Sequence, residues 1–246
     1  MKNTPLLILL LCCTTLSFAG GRLVNYEVNG EAYEGYYVSP SNSQGLVLLL
    51  HDWDGLTDYE IKRSEMLAEL GYSVFAADLF GKGVRPTEVK DKRQHTGELY
   101  KDRAKMRALM TGALKTARDL GAAAGSTLAM GYCFGGAAAL ELARSGADMK
   151  GFVSFHGGLT TPEGQNYDAT KAKVMVYHGT ADTVITMDDF AGLAKELEQS
   201  GVAHEMVTYS GAPHAFTVFG SERYQQVADE KSWNSFTNFL AQTFGD

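Results

Sequence analysis

Three residues far apart in the chain have the types and order of a covalent catalyst. Cys133 stands in Gly131-Tyr132-Cys133-Phe134-Gly135-Gly136, with a glycine two positions to either side. A nucleophile presented on a strained strand-to-helix turn needs that spacing, because a Cβ at those positions would strike the backbone. The helix that follows offers N-terminal amides and a dipole that favour a thiolate. It also aims the Phe134 N–H at a developing oxyanion. The same stretch fits a glycine-rich turn around a buried structural thiol, so the decision rests on partners. His214, in Ser210-Gly211-Ala212-Pro213-His214-Ala215-Phe216, is the candidate base, and Asp182, in His178-Gly179-Thr180-Ala181-Asp182, its orienting carboxylate. The chain order nucleophile, acid, histidine is one of the known orders of such a triad. A second oxyanion donor is expected from His51-Asp52-Trp53-Asp54-Gly55, where the Trp53 N–H is the candidate by position and its indole can wall a pocket.

These residues must be positioned by strands and helices that the hydrophobic pattern places. Leu23 to Val28 and Ala32 to Val38 flank Asn29-Gly30, a two-residue hairpin turn signal. Apolar runs then predict buried strands at Leu46 to Leu50, Ser73 to Ala77, Thr127 to Met130, Phe152 to Phe155 and Val174 to Tyr177, with another at Glu205 to Tyr209. Thr57 with Glu60 reads as a capping box, opening a helix that ends at Leu70 before Gly71. One long helix is expected over Gly97 to Leu120, from Leu99, Met106, Leu109, Ala113, Ala117 and Leu120 on one face. Further helices are expected at Gly135 to Arg144, around Met187 to Leu197, and at Glu222 to Phe239. Gly157 to Lys173 reads as a loop. Strands alternating with helices imply an α/β fold, a doubly wound and mostly parallel sheet covered on both faces. Ligands in such folds bind outside the carboxyl ends of the strands, where His51, Asp52, Asp78, Cys133, His156, His178 and Asp182 fall.

The totals bound the function. The chain has 246 residues, 45% hydrophobic and 21% charged, enough for a sizeable core. A formal charge of -7 leaves no basic footprint for nucleic acid. Lys2, the apolar run Leu6 to Leu16 and Ser17-Phe18-Ala19 read as a secretory signal peptide over residues 1–19, with residues 20–246 as one domain. The apolar run is too short to span a bilayer. Export to a periplasm or the exterior is therefore expected, with no stable membrane association once the signal is removed. Cys12 and Cys13 leave with it, so Cys133 is the one thiol of the mature chain and no disulfide framework exists.

With these motifs in place, the sequence resembles the dienelactone hydrolase family of α/β-hydrolases. HDWDGL (51–56), ADLFGKG (77–83), GYCFGG (131–136), HGTAD (178–182) and GAPHAF (211–216) occur in that family's order across almost the whole mature chain. The resemblance implies an α/β-hydrolase fold, Cys133 as nucleophile, His214 as base, Asp182 as orienter, and the Trp53 and Phe134 amides as oxyanion hole. It implies a small ester or lactone as substrate and no cofactor. Two departures bear on specificity. Asp52 stands where the family's lactonases carry a glutamate that gates the resting thiol. Lys82 and Val218 stand where they bind the substrate carboxylate with two arginines; Lys82 keeps a charge without the bidentate fork, and Val218 binds no anion. A neutral or larger ester therefore fits as well as a carboxylate-bearing dienelactone.

His51, His156 and His178 lie at strand ends, but none shows the i, i+4 spacing of a helical zinc pair, and no metal site is expected. His51 and His178 are expected to hydrogen-bond around the oxyanion and acid loops. A monomer or weak homodimer is expected. Two other classes use the same residues: a noncatalytic relative that binds a small ligand or a protein, and a thiol redox protein, which usually keeps a resolving cysteine nearby.

Overall fold

The computed structural model describes residues 20–122 and 125–245; the expected signal segment, residues 1–19, lies outside the described residues.

The architecture follows from strands that have no polar face. β3 (Leu46–Leu50) is buried at every position, and so are β4 (Ser73–Ala77), β5 (Thr127–Tyr132) and β6 (Gly151–Phe155). Such strands need cover on both sides. Alternation divides them: Leu46, Leu48 and Leu50 join one apolar cluster, Val47 and Leu49 the other. The first cluster receives Leu99 of α2 (Val89–Lys101), Met106 of α3 (Arg103–Asp119), Leu140 of α4 (Phe134–Arg144) and Leu193 of α5 (Met187–Gln199). The second receives Leu67 of α1 (Asp58–Glu69) and Phe236 of α6 (Gln226–Phe244).

With β1 (Arg22–Val28), β2 (Glu31–Val38), β7 (Lys173–Gly179) and β8 (His204–Tyr209), the sheet has eight strands in the order β1-β2-β4-β3-β5-β6-β7-β8. β1 pairs with β2, and β2 with β4, antiparallel; all other pairs are parallel. Asn29 and Gly30 both take positive φ (52° and 80°), which is the turn that matches strand twist in a two-residue hairpin. The carboxyl ends of the parallel strands lie along one edge, where the loops carrying His51, Cys133, His156, Asp182 and His214 gather.

Two helices differ from the sequence reading, and the first begins earlier, at Val89 rather than Gly97. The long helix is two helices, broken at Asp102 (φ -115°, ψ 79°), whose carboxylate accepts the Lys105 N–H at 2.8 Å and caps α3. An aspartate satisfying a helix's first amides competes with helix continuation. The apolar face runs through the break, so periodicity could not register it. The last helix starts later and runs further than expected, to Phe244, whose ring packs against Tyr72 at 5.6 Å.

Candidate active site

Cys133 caps the N-terminus of α4 in a backbone conformation that L-residues avoid (φ 50°, ψ -111°), costing about 1–3 kcal/mol. Two hydrogen bonds hold the turn: Cys133 N–H to Phe155 O at 3.0 Å, and Ala137 N–H to Cys133 O at 3.2 Å. The flanking glycines let the elbow form. A Cβ on Gly131 would lie 2.2 Å from Gly135 O, and one on Gly135 would lie 2.1 Å from Leu50 O. Four non-glycine residues among those described have positive φ. Apart from the hairpin Asn29, they are Cys133, His156 and Ala215, which all border this site. Strain gathered at one place marks it as functional.

His214 and Asp182 arrive on loops laced to each other. Thr180 N–H donates to Tyr209 O and Ala181 N–H to Ala212 O, both at 3.0 Å, tying the loop after β7 to the loop after β8. Asp182 Oδ1 accepts the Val184 and Ile185 N–H groups at 2.8 and 2.9 Å, which leaves Oδ2 for His214 Nδ1 at 2.7 Å. His214 Nε2 then lies 3.1 Å from Cys133 Sγ. Burial works against a charge on His214, but the hydrogen bonds and charges of Asp182 and Cys133 outweigh it and raise its pKa to about 10. Asp182 is lowered: burial opposes this, and His214 and the two amides prevail. His178 braces the acid loop through Nε2 to Ile185 O at 3.0 Å.

A second layer lies behind His214. The His156 ring stands edge-on to it at 5.3 Å between centroids. His156 Nε2 meets Thr217 Oγ1 at 2.8 Å, and that hydroxyl meets Tyr59 Oη at 2.7 Å. Arg63 donates to Thr217 O at 2.9 Å and is ion-paired with Asp229, with its guanidinium 4.1 Å from the Phe219 ring centroid. Burial, and the charge of His214 beside it, keep His156 well below its ordinary value, hence neutral. The sequence reading singled out His156 but not Thr217, Tyr59, Arg63 or Asp229. The capping box at Thr57 does place Tyr59 and Arg63 one turn apart on α1, but their partner lies 158 residues from Tyr59.

The loop after β3, residues 51–55, is fixed by His51. Its Nδ1–H donates to Asp52 O at 2.6 Å and its Nε2 accepts the Leu79 N–H at 3.0 Å, the pattern of a neutral ring. Burial lowers its pKa to about 4. Among the described residues, neither the Trp53 nor the Phe134 N–H has a hydrogen-bond acceptor. The Asp52 carboxylate accepts the Asp54 N–H at 2.8 Å. Burial and the Asp54 charge raise Asp52 to about 6, against the pull of that N–H, Lys92 and His214. Beneath it, Glu60 is raised to about 8 by burial and by Asp52, although the Thr57 donors oppose this. Lys82 is exposed, with its N–H on Ala32 O at 3.0 Å. The lysine set against this loop is Lys92, 2.7 Å from Asp54 and 5.2 Å from the Trp53 ring centroid. Val218, half-buried, closes a turn back to Ala215 O at 3.1 Å. Asp78 is a structural carboxylate, accepting the Phe80 and Gly81 N–H groups at 3.0 and 3.1 Å. No group of His, Cys, Asp and Glu among the described residues is placed to hold a metal ion, and no described helix is long and apolar enough to cross a membrane.

A strained strand-to-helix turn at Cys133 after β5, Asp182 after β7 and His214 after β8, on an eight-stranded sheet of this order, define an α/β-hydrolase fold. The model of the dienelactone hydrolase family matches residues 33–244, and the chain belongs to that family. Over 234 residues it is 25% identical to "Protein usf" of Aquifex pyrophilus, spanning 90% of this chain and 98% of the relative. A dienelactone hydrolase-like promiscuous phosphotriesterase from metagenomic libraries superposes with a TM-score of 0.83 at 27% identity, covering 91% of this chain and 98% of that one. The native esterase Est2 of Thermogutta terrifontis shares the fold, with a TM-score of 0.63 at 18% identity over 91% of this chain and 92% of that one. The chain is accordingly an enzyme of the carboxylic ester hydrolase class.

Proposed function

We propose that the protein hydrolyses carboxylic esters and lactones through Cys133, by way of an acyl-thioester. The observation that carries this is the single imidazole, 2.7 Å from Asp182 and 3.1 Å from Cys133. His214 takes the Cys133 thiol proton as the sulfur attacks the ester carbonyl, forming the S–C bond and moving the carbonyl π pair onto oxygen, while the Trp53 and Phe134 amides stabilise the oxyanion. The adduct collapses by breaking the C–O bond, and the leaving oxygen takes the proton from His214. Water then attacks the thioester, His214 accepts its proton, and the S–C bond breaks to release the acid. Such an adduct expels thiolate more readily than alkoxide. The chemistry therefore favours strained lactones and enol or aryl esters over alkyl esters and amides. No step calls on a cofactor. Export is part of the proposal, with residues 1–19 removed and the enzyme acting in a periplasm or outside the cell as a monomer or weak homodimer.

The test compares the mature protein with Cys133→Ala on aryl esters, a lactone and an enol-lactone. A loss of at least a thousandfold in kcat/KM is expected, with an acyl adduct on wild type alone in quenched intact-mass spectra. Equal rates for the two proteins would overturn the role of Cys133. Export predicts a mature chain starting at Gly20; an intact N-terminus in the cytoplasm refutes it.

A further inference from the structure

The loop that carries the Trp53 amide is anchored firmly at its two ends and weakly in its middle. At the entry, His51 donates to Asp52 O at 2.6 Å and accepts the Leu79 N–H at 3.0 Å. At the exit, Arg85 Nε donates to Leu56 O. Between them the hydrogen bonds are long: Asp52 N–H to Glu60 Oε1 at 3.4 Å and Gly55 N–H to Asp52 O at 3.5 Å. Such distances hold little. The short bond there, Asp54 N–H to Asp52 Oδ1 at 2.8 Å, ties the loop only to itself. An oxyanion donor works because it is fixed before the charge develops, so the middle of this loop needs a further tie.

Lys92, in the first turn of α2, reaches it from outside. Its Nζ lies 2.7 Å from Asp54 Oδ1 and 5.2 Å from the Trp53 ring centroid, within cation–π range. Asp54 Oδ1 is closed to solvent, and among the described residues no group donates a hydrogen bond to it, so the contact with Lys92 is ionic. The Lys92 side chain is itself largely buried. Lys92 also offsets the repulsion between neighbouring carboxylates: its charge lowers Asp52, while that of Asp54 raises it. Without this lysine, Asp52 and Asp54 repel each other on either side of the residue that carries the amide.

We infer that Lys92 is a positioning residue of the hydrolysis: its ion pair with Asp54 and its seat over the Trp53 ring hold the Trp53 N–H for the oxyanion. The inference rests on Cys133 attacking the carbonyl with Trp53 as an oxyanion donor. The tetrahedral adducts of acylation and of deacylation both carry that oxyanion, so a loosened Trp53 slows whichever step limits the rate. An interaction made only in those adducts lowers kcat and kcat/KM alike when it is lost.

The test uses the mature protein and 4-nitrophenyl acetate. Lys92→Met is expected to lower kcat about tenfold with KM little changed, a smaller loss than deletion of an oxyanion donor brings. Lys92→Arg, which keeps the cation, is expected to retain most of the rate. Asp54→Asn is expected to lose as much as Lys92→Met, and the double variant no more than either, because a single pair is removed. Lys115→Met, which breaks an exposed pair with Asp119 on α3, is expected to match wild type. Trp53 reports the hold directly. The chain has two tryptophans, so Trp233→Phe leaves Trp53 as the one indole. In that background Lys92→Met is expected to raise acrylamide quenching about twofold at unchanged Tm, as a loop freed of its tie opens locally. An unchanged kcat in Lys92→Met, a change in KM alone, a fully additive double variant or unchanged quenching overturns the inference. If wild type cleaves no ester, the hydrolysis reading fails by itself, and the quenching still decides whether Lys92 holds the loop: a twofold rise supports the hold, and equal quenching overturns it.

Discussion

His214 Nε2 lies 3.1 Å from Cys133 Sγ, while its Nδ1 is committed to Asp182 at 2.7 Å. One imidazole therefore bridges Cys133 and Asp182, and Asp52 Oδ1 is occupied by the Asp54 N–H of its own loop.

That pairing sets the titration of His214. Its pKa is raised from 6.5 to about 10, so protonation stabilises the fold. This contribution is complete below pH 6.5 and is lost as pH rises through 10. In Cys133→Ala only Asp182 remains to oppose burial, and the imidazole is expected to titrate at least one unit lower. Nitrogen-detected NMR of the imidazole measures both values; an unchanged titration would contradict the pair.

Asp52 has the same direction of pH dependence for the opposite reason, because its neutral form is the favoured one. Its pKa is raised from 3.8 to about 6, so the fold favours the neutral acid. That contribution is complete below pH 3.8 and is lost as pH rises through 6. Asp52→Asn keeps an acceptor for the Asp54 N–H and removes the buried charge. It is expected to match wild type in urea unfolding at pH 4 and to exceed it by roughly 2 kcal/mol at pH 8.

Thr217 bonds His156, whose ring packs edge-on to His214. Thr217→Val removes the hydroxyl that both His156 Nε2 and Tyr59 Oη meet; Tyr59 Oη keeps the Arg63 Nε–H at 3.3 Å, while the buried His156 ring loses its hydrogen bond at a cost of about 1–3 kcal/mol. Beyond the lost stability, kcat is expected to fall about tenfold with little change in KM, and Thr217→Ser to restore it. A KM effect with kcat unchanged would argue against positioning.

Gly135 of the elbow differs sharply from Gly97 of α2. Gly135→Ala brings a Cβ to 2.1 Å from Leu50 O, so β3 and α4 must part, and a loss of more than about 3 kcal/mol is expected. Gly97→Ala, in α2 with open space around it, is expected to stabilise by about 0.5–1 kcal/mol. Thermal melts of the two variants give both signs.

The sequence alone determined the sheet strands, the elbow spacing and the order of Cys133, Asp182 and His214. Each of these is a local signal: an apolar run, a glycine two residues from a nucleophile, a polar residue just past a strand. It also placed His51 and His178 as braces of their loops. Only the tertiary structure decided what happens across the chain. It broke the expected Gly97 to Leu120 helix at Asp102, because a side-chain cap competes with helix continuation and leaves the apolar face intact. It set Lys92 rather than Lys82 against Trp53, and put Thr217 between Tyr59 and His156. It also drew Arg103, Arg107 and Arg144 around Glu141 from two helices. No periodicity or motif encodes such meetings. They exist because packing helices on both faces of the sheet brings distant residues within hydrogen-bond reach at the strands' carboxyl ends and within ion-pair reach between α3 and α4.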